Sequence, residues 1–136
     1  MNVDGNAAKP GPSAGELIAY VEAYFASADS CDVAGTLQTM ARDCVVEYLT
    51  EGLRYEGRDE GVKTYFEQRA KQVVKSWHGD FLHVADAASG RVATRFAVRR
   101  TDKGGAERTA DNIDLFEFEG RKIRRITVWK STGKAA

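Results

Sequence analysis

A chain of 136 residues is long enough for one sizeable hydrophobic core and too short for two, so one domain is expected. Its 20 basic and 20 acidic side chains cancel without gathering into blocks, which excludes the electrostatic footprint of a nucleic-acid or anionic-membrane binder. No apolar run approaches the ~20 residues of a membrane span, and MNVDGNAAKPGPSAGE lacks the apolar middle of a signal peptide; the expected location is cytoplasmic.

Residues 1–12, rich in Gly, Pro, Ala and Asn without apolar periodicity, read as a disordered tail. Ser13 and Glu16 have capping-box spacing, and Leu17, Val21, Tyr24, Phe25 and Ala28 then share one helical face, which predicts a helix over 14–28. Asp32 caps a short second helix through about residue 40, and the β-branched and aromatic CVVEYL (44–49) follows as a strand. EGLRYEGRDEG supplies turns and a short strand. From Asp59 to about residue 75, Val62, Tyr65, Phe66, Ala70, Val73 and Val74 recur at helical spacing. Four strand-like segments complete the chain, SWHGDFLHVADA, RVATRFAVRRT, RTADNIDLFEFE and KIRRITVWKS, joined by the turns ASG, DKGG and EG into an antiparallel meander. Helices followed by a meander define an α+β fold, with a curved sheet wrapped around helices on one face.

Within the third meander strand, alternation places Asn112, Asp114, Phe116 and Phe118 on one side. The two phenylalanines belong in a core, so an amide and a carboxylate point inward with them. Cys31 and Cys44 suit a reducing compartment, and the scarcity of Cys and His (His78 and His83 only) gives no zinc-ligand pattern, so no metal is expected.

The element order over residues 14–132, together with the stretches YFASADSCDVAGTLQTMARDCVVEY (24–48), YEGRDEGVKTYF (55–66) and IDLFEFEGRKI (113–123), resembles the nuclear transport factor 2-like superfamily, which includes ketosteroid isomerase, SnoaL-type polyketide cyclases and scytalone dehydratase. The resemblance implies a cone-shaped α+β barrel, three N-terminal helices on a curved antiparallel sheet, spanning residues 13–136 as one NTF2-like, SnoaL-like domain with an apolar cavity. It also implies that Tyr24 and Asp114 fall where ketosteroid isomerase has its two oxyanion donors, a helix-1 tyrosine and a strand acid that an apolar site keeps protonated. The catalytic aspartate of that enzyme falls on Tyr48, a poor proton acceptor near neutral pH. Other bases are Glu51, His78 and Asp80, with His78 preferred because imidazole titrates nearest neutrality; alternation does not decide whether His78 or His83 faces inward.

The expected function is a cofactor-independent enzyme moving a proton next to a carbonyl, by isomerisation, dehydration or cyclisation of an aromatic, polyketide or steroid-like substrate. Its catalytic candidates are Tyr24, Asp114, His78, Asp80 and Tyr48, and its substrate-binding candidates are Asn112, Tyr20, Tyr65, Phe66, Phe96, Val98, Arg100 and Phe116. Arg100 shares parity with Phe96 and Val98 and so can meet an anionic substrate at the cavity mouth. One rival is a non-catalytic module of the same fold that binds a small molecule or pairs subunits. Under that reading Asp114 merely accepts hydrogen bonds from Tyr24 or buried amides, and Tyr48 only lines the cavity. A third reading, a hydrolase activating water, would use Asp114, Asp80 and Arg100. The resemblance further implies a homodimer through the outer sheet face, where Trp77, Ile113 and Trp129 lie among Arg95, Arg99, Arg124 and Arg125.

Overall fold

The computed structural model describes residues 10–131 and the backbone of 134–135, so most of the expected tail, residues 1–9, lies outside the described residues. Helix α1 (Ala14–Asp29) starts at a complete capping box: the Glu16 amide donates to Ser13 Oγ at 3.1 Å, and the Ser13 amide donates to Glu16 Oε1 at 2.9 Å. Its buried stripe is Leu17, Val21, Tyr24, Phe25 and Ala28, as the periodicity predicts. Helix α2 (Val33–Gln38) is capped by Asp32, whose Oδ1 accepts from the Gly35 amide at 2.9 Å. Strand β1 (Met40–Tyr48) begins four residues earlier than expected, and β2 (Leu53–Glu56) pairs antiparallel with it. A π-helical turn (Gly57–Gly61) leads into α3 (Val62–Gln72), which ends three residues short of the expected limit because Val73 has already turned extended to open the next strand.

The meander is β3 (Val73–Asp86), β4 (Arg91–Asp102), β5 (Glu107–Glu119) and β6 (Lys122–Lys130), and the two-residue β7 (Lys134–Ala135) pairs with β5. Six strands run in the order β2-β1-β6-β5-β4-β3. The sheet is mixed where the sequence reading has it antiparallel throughout: β1 lies parallel to β6, because the chain crosses back through α3 before entering the meander. The three helices pack on one face of this unclosed, cone-shaped α+β fold. Phe25 of α1 and Phe66 of α3 join Val46, Val92, Phe96, Phe116, Ile123 and Ile126 of that face in one cluster.

One irregularity governs what β3 presents to the helices. Gly79 pairs with Ala97 and Leu82 with Arg95, so Asp80 and Phe81 together oppose the single residue Phe96. This bulge turns Asp80 to φ 55° and leaves it exposed. Gly79 is required beside it, since a Cβ there would lie 2.1 Å from the Trp77 ring, which covers the strand and carries Arg99 on its face at 4.7 Å. His83 lies five positions after His78, an offset that would send them to opposite faces of a regular strand; the extra residue brings both inward.

Candidate active site

Between the open end of the sheet and helices α1 and α3 lies a narrow cavity of about 40 Å³, lined by Tyr24, Tyr48, Tyr65, Phe66, His78, Phe96, Arg100, Asn112 and Asp114, with Arg69 and Lys130 at its edge. It meets a wider vestibule of about 310 Å³ at Arg100, Asn112 and Lys130, whose other walls include Glu51, Val98 and Arg108.

Tyr24 is 6% exposed and Asp114 3%. Tyr24 is wedged by edge-on contacts with Phe25, Phe66 and Phe116, ring centroids 5.2, 6.2 and 5.6 Å away, which fix the ring and leave the hydroxyl as its only polar handle. Burial pushes the Tyr24 hydroxyl well above the usual phenol range, and the nearby Asp114 adds to the shift. Burial likewise raises the Asp114 carboxyl far above its ordinary value, with Lys130 opposing weakly. Burial therefore favours the protonated, hydrogen-bond-donating form of both groups. Tyr48 and Tyr65 share a hydrogen bond at 2.5 Å, and burial raises both hydroxyls. Tyr48 is therefore a poor proton acceptor.

His78 has a different setting. Its side chain is 9% exposed, its Nδ1 lies 2.5 Å from Asp29 Oδ1, and its backbone amide donates to Asp29 Oδ2 at 2.8 Å. Ser76 Oγ donates to the same Oδ1 at 2.9 Å, and Arg69 donates to Ser76 Oγ at 3.1 Å. Burial disfavours the Asp29 anion, yet the bonds from the His78 ring, the His78 amide and Ser76 hold its carboxyl below the ordinary value. Burial lowers the His78 pKa, and the positive charges of Arg69 and Arg100 lower it further against the pull of Asp29. A neutral imidazole facing a carboxylate carries its proton on Nδ1, which leaves Nε2 as the proton acceptor. An oriented acceptor of this kind fits general-base chemistry.

Buried side-chain polar atoms without a hydrogen-bond partner among the described residues are Arg100 Nε, Asn112 Oδ1 and Asp114 Oδ1, and all three residues line this cavity. Folded proteins pair nearly all such atoms, so the three leave hydrogen-bonding capacity directed at one cavity.

The structure thus brings together Tyr24, Asp114, His78, Tyr48, Asn112, Tyr65, Phe66, Phe96 and Arg100, and leaves four expected residues aside. Asp80 points to solvent because of the bulge, so it is neither a base nor half of a water-activating acid pair. Tyr20 sits a turn before Tyr24 against Phe118, its ring 6.1 Å away and its hydroxyl bonded by Arg121, at the opposite end of the fold. Phe116 is fully buried behind Tyr24 and Phe25 and supports the wall from outside. Val98 is absent from the inner cavity but lines the vestibule. His83 is held at both nitrogens, by Thr94 and Glu22 at 2.8 Å each, and is a structural group. Asp29, Arg69 and Lys130 are the site residues that the sequence reading missed.

The SnoaL-like domain family matches residues 21–126. This chain belongs to it. Known structures agree on the fold: a candidate polyketide cyclase from Xanthomonas campestris pv. campestris superposes with a TM-score of 0.75 at 20% identity, covering 87% of this chain and 92% of that one. A candidate isomerase from Bacillus subtilis reaches 0.77 at 16% identity, covering 86% and 87%. A protein with a ketosteroid isomerase-like fold from Catenulispora acidiphila, in complex with trimethylamine, reaches 0.74 at 13% identity, covering 83% and 85%. No curated protein matches the sequence. At these identities the neighbours establish architecture alone, and no helix among the described residues is long and apolar enough to cross a membrane.

Proposed function

We infer that this SnoaL-like protein is a cofactor-independent enzyme that moves a proton next to a carbonyl group, leading to isomerisation, elimination or ring closure. The observation that carries the reading is the convergence, in one cavity, of two neutral donors, Tyr24 and Asp114, with the oriented acceptor His78. His78 Nε2 takes the α-proton, held in the right tautomer by Asp29. The developing enolate oxygen is stabilised by Tyr24 and Asp114, which need no reorganisation because burial has already stripped them of water. Asn112 and the Tyr48–Tyr65 pair orient the substrate. The inner cavity admits only the reactive end of a substrate, and the vestibule takes the rest, which favours a small ring system over a steroid.

Proton exchange tests this without knowing the product. Small aromatic ketones incubated with the protein in deuterium oxide should exchange their α-protons, with a rate that rises with pH along a limb centred below about 6.5, since burial lowers the His78 pKa. His78→Gln should reduce the rate by about 10²–10⁴-fold. Exchange undiminished in His78→Gln would remove it as the base. A second reading, a binding module without turnover, is favoured by Tyr48 at the strand position of the missing aspartate and by the narrowness of the cavity. Pairing of two copies belongs to either reading. A row of outward residues, Leu82, Arg95, Ile113 and Trp129, crosses neighbouring strands in register and supplies the apolar surface for it.

A further inference from the structure

The charges around the cavity do not balance. Lys130 is paired with Glu51 at 2.8 Å. The Asp29 carboxylate is matched by Arg69 through the shared Ser76 hydroxyl, and burial favours the neutral forms of Asp114 and His78. Arg100 remains. It belongs to none of the ion pairs among the described residues, and its Nε is buried without an acceptor. Its neighbours are a second cation, Arg69, the Tyr65 and Tyr48 hydroxyls and, with the smallest influence, the Asp29 carboxylate, whose oxygens are already taken by Ser76 and His78. A largely buried guanidinium that keeps its charge, next to another, is costly unless something anionic arrives to meet it.

The place where it waits is specific. Arg100 follows Phe96 and Val98 on the inward face of β4, set between Ser76 on β3 and Arg108 on β5, and it lines both the inner cavity and the vestibule. A group bound there lies at the junction, with the rest of the molecule reaching inward to Tyr24 and Asp114. The guanidinium presents parallel N–H donors suited to a two-oxygen acceptor. Arg100 is the buried uncompensated charge and calls for one negative charge; Arg108 beside it is exposed and met by solvent.

Resting on the function inferred above, we propose that the substrate is a small planar carbonyl compound bearing one carboxylate, and that Arg100 binds that carboxylate where the cavity opens into the vestibule. The carboxylate anchors the substrate and the neutral carbonyl lies at the donor pair, so binding energy from one end orients the other for proton removal.

Calorimetric titration with 4-hydroxyphenylacetate and its uncharged amide separates this claim from the function it rests on, because both probes carry the phenol that imitates an enolate. Wild-type protein should bind the acid about tenfold or more tightly than the amide, with the advantage shrinking as salt is raised. In Arg100→Gln the two should bind within about twofold of each other, and Arg100→Lys should keep part of the difference. Equal binding of acid and amide by wild type overturns the proposal without recourse to a variant. If both also weaken in Asp114→Asn, the oxyanion reading stands while the carboxylate claim falls. Absence of binding by either probe defeats both. A preference for the acid that persists in Arg100→Gln with a native circular dichroism spectrum overturns the assignment to Arg100.

Discussion

Asp29→Asn isolates the one contact that makes His78 a base. In the wild type the carboxylate accepts three hydrogen bonds, from Ser76 Oγ at 2.9 Å, the His78 amide at 2.8 Å and His78 Nδ1 at 2.5 Å. An asparagine has the same shape but only one acceptor oxygen, which the His78 amide claims because a backbone N–H cannot reverse its role. The NH₂ group then faces Ser76 Oγ and Nδ1 and forces Nδ1 to become the acceptor. The proton moves to Nε2, and the nitrogen left to accept a proton from a substrate is gone. All three contacts survive in neutral form, losing about 1 kcal/mol of charge assistance each, partly offset because a half-buried carboxylate no longer has to be desolvated. The net cost is about 1–2 kcal/mol, a fall of roughly 3–8 °C in Tm for a domain of this size. Chemistry should suffer more: loss of a general base costs about 10²–10⁴-fold, equivalent to about 3–5 kcal/mol of barrier. Nitrogen chemical shifts of the imidazole read the tautomer directly, and the proton titration of His78 should move further below about 6.5 in the variant, because Asp29 is the group that raises it. An unchanged tautomer, or a titration midpoint that rises, would refute the dyad.

Other expectations follow from burial and backbone geometry. Burial raises the folded-state pKa of Asp114, so its stabilising contribution is complete below about pH 4 and is lost as pH rises through the folded value. Asp114→Asn should therefore melt with wild type near pH 4 and at or above it at pH 7–8, as thermal scans across that range would report. Phe116→Ala removes a fully buried ring from behind Tyr24 and should cost about 3–5 kcal/mol in urea unfolding at an unchanged m-value. Asp80 sits at φ 55°, where glycine is at ease and branched residues are not. Asp80→Gly should leave Tm nearly unchanged, Asp80→Val should lower stability by about 1–2 kcal/mol, and both should retain α-proton exchange.

The fold was legible because the apolar period changes from helical to alternating after α3, blurred only at Val73 and Val74, and because turn glycines punctuate the meander. Asp114 was legible for the same reason: strict alternation with Phe116 leaves it nowhere to point but inward. Alternation misled at Asp80, since it assumes an unbroken strand, although a glycine immediately before it in a strand is itself a bulge signal. It was also silent on the two histidines until the bulge supplied the missing half-turn of phase. Tyr20 shares the helical face of Tyr24, but it lies one turn earlier, where it meets Phe118, two residues beyond Phe116 on the same side of β5. Asp29 carried a readable clue. It is an acid in the last turn of α1, where the helix dipole disfavours negative charge and no basic residue compensates, so a partner elsewhere was called for. Arg69 gave no such sign, being one of several charges along an amphipathic helix; only the tertiary approach of β3 to α1 distinguishes it.

The central claim, that Tyr24 and Asp114 form a site built for an oxygen on which negative charge accumulates, is met most directly by the binding of a planar phenol to wild type, Tyr24→Phe and Asp114→Asn. Affinity across a series of ring-substituted phenols should rise as the phenol becomes more acidic, and each substitution should weaken binding by about 10- to 100-fold while the protein remains folded. Binding that ignores both substitutions, or no binding at all, would contradict it.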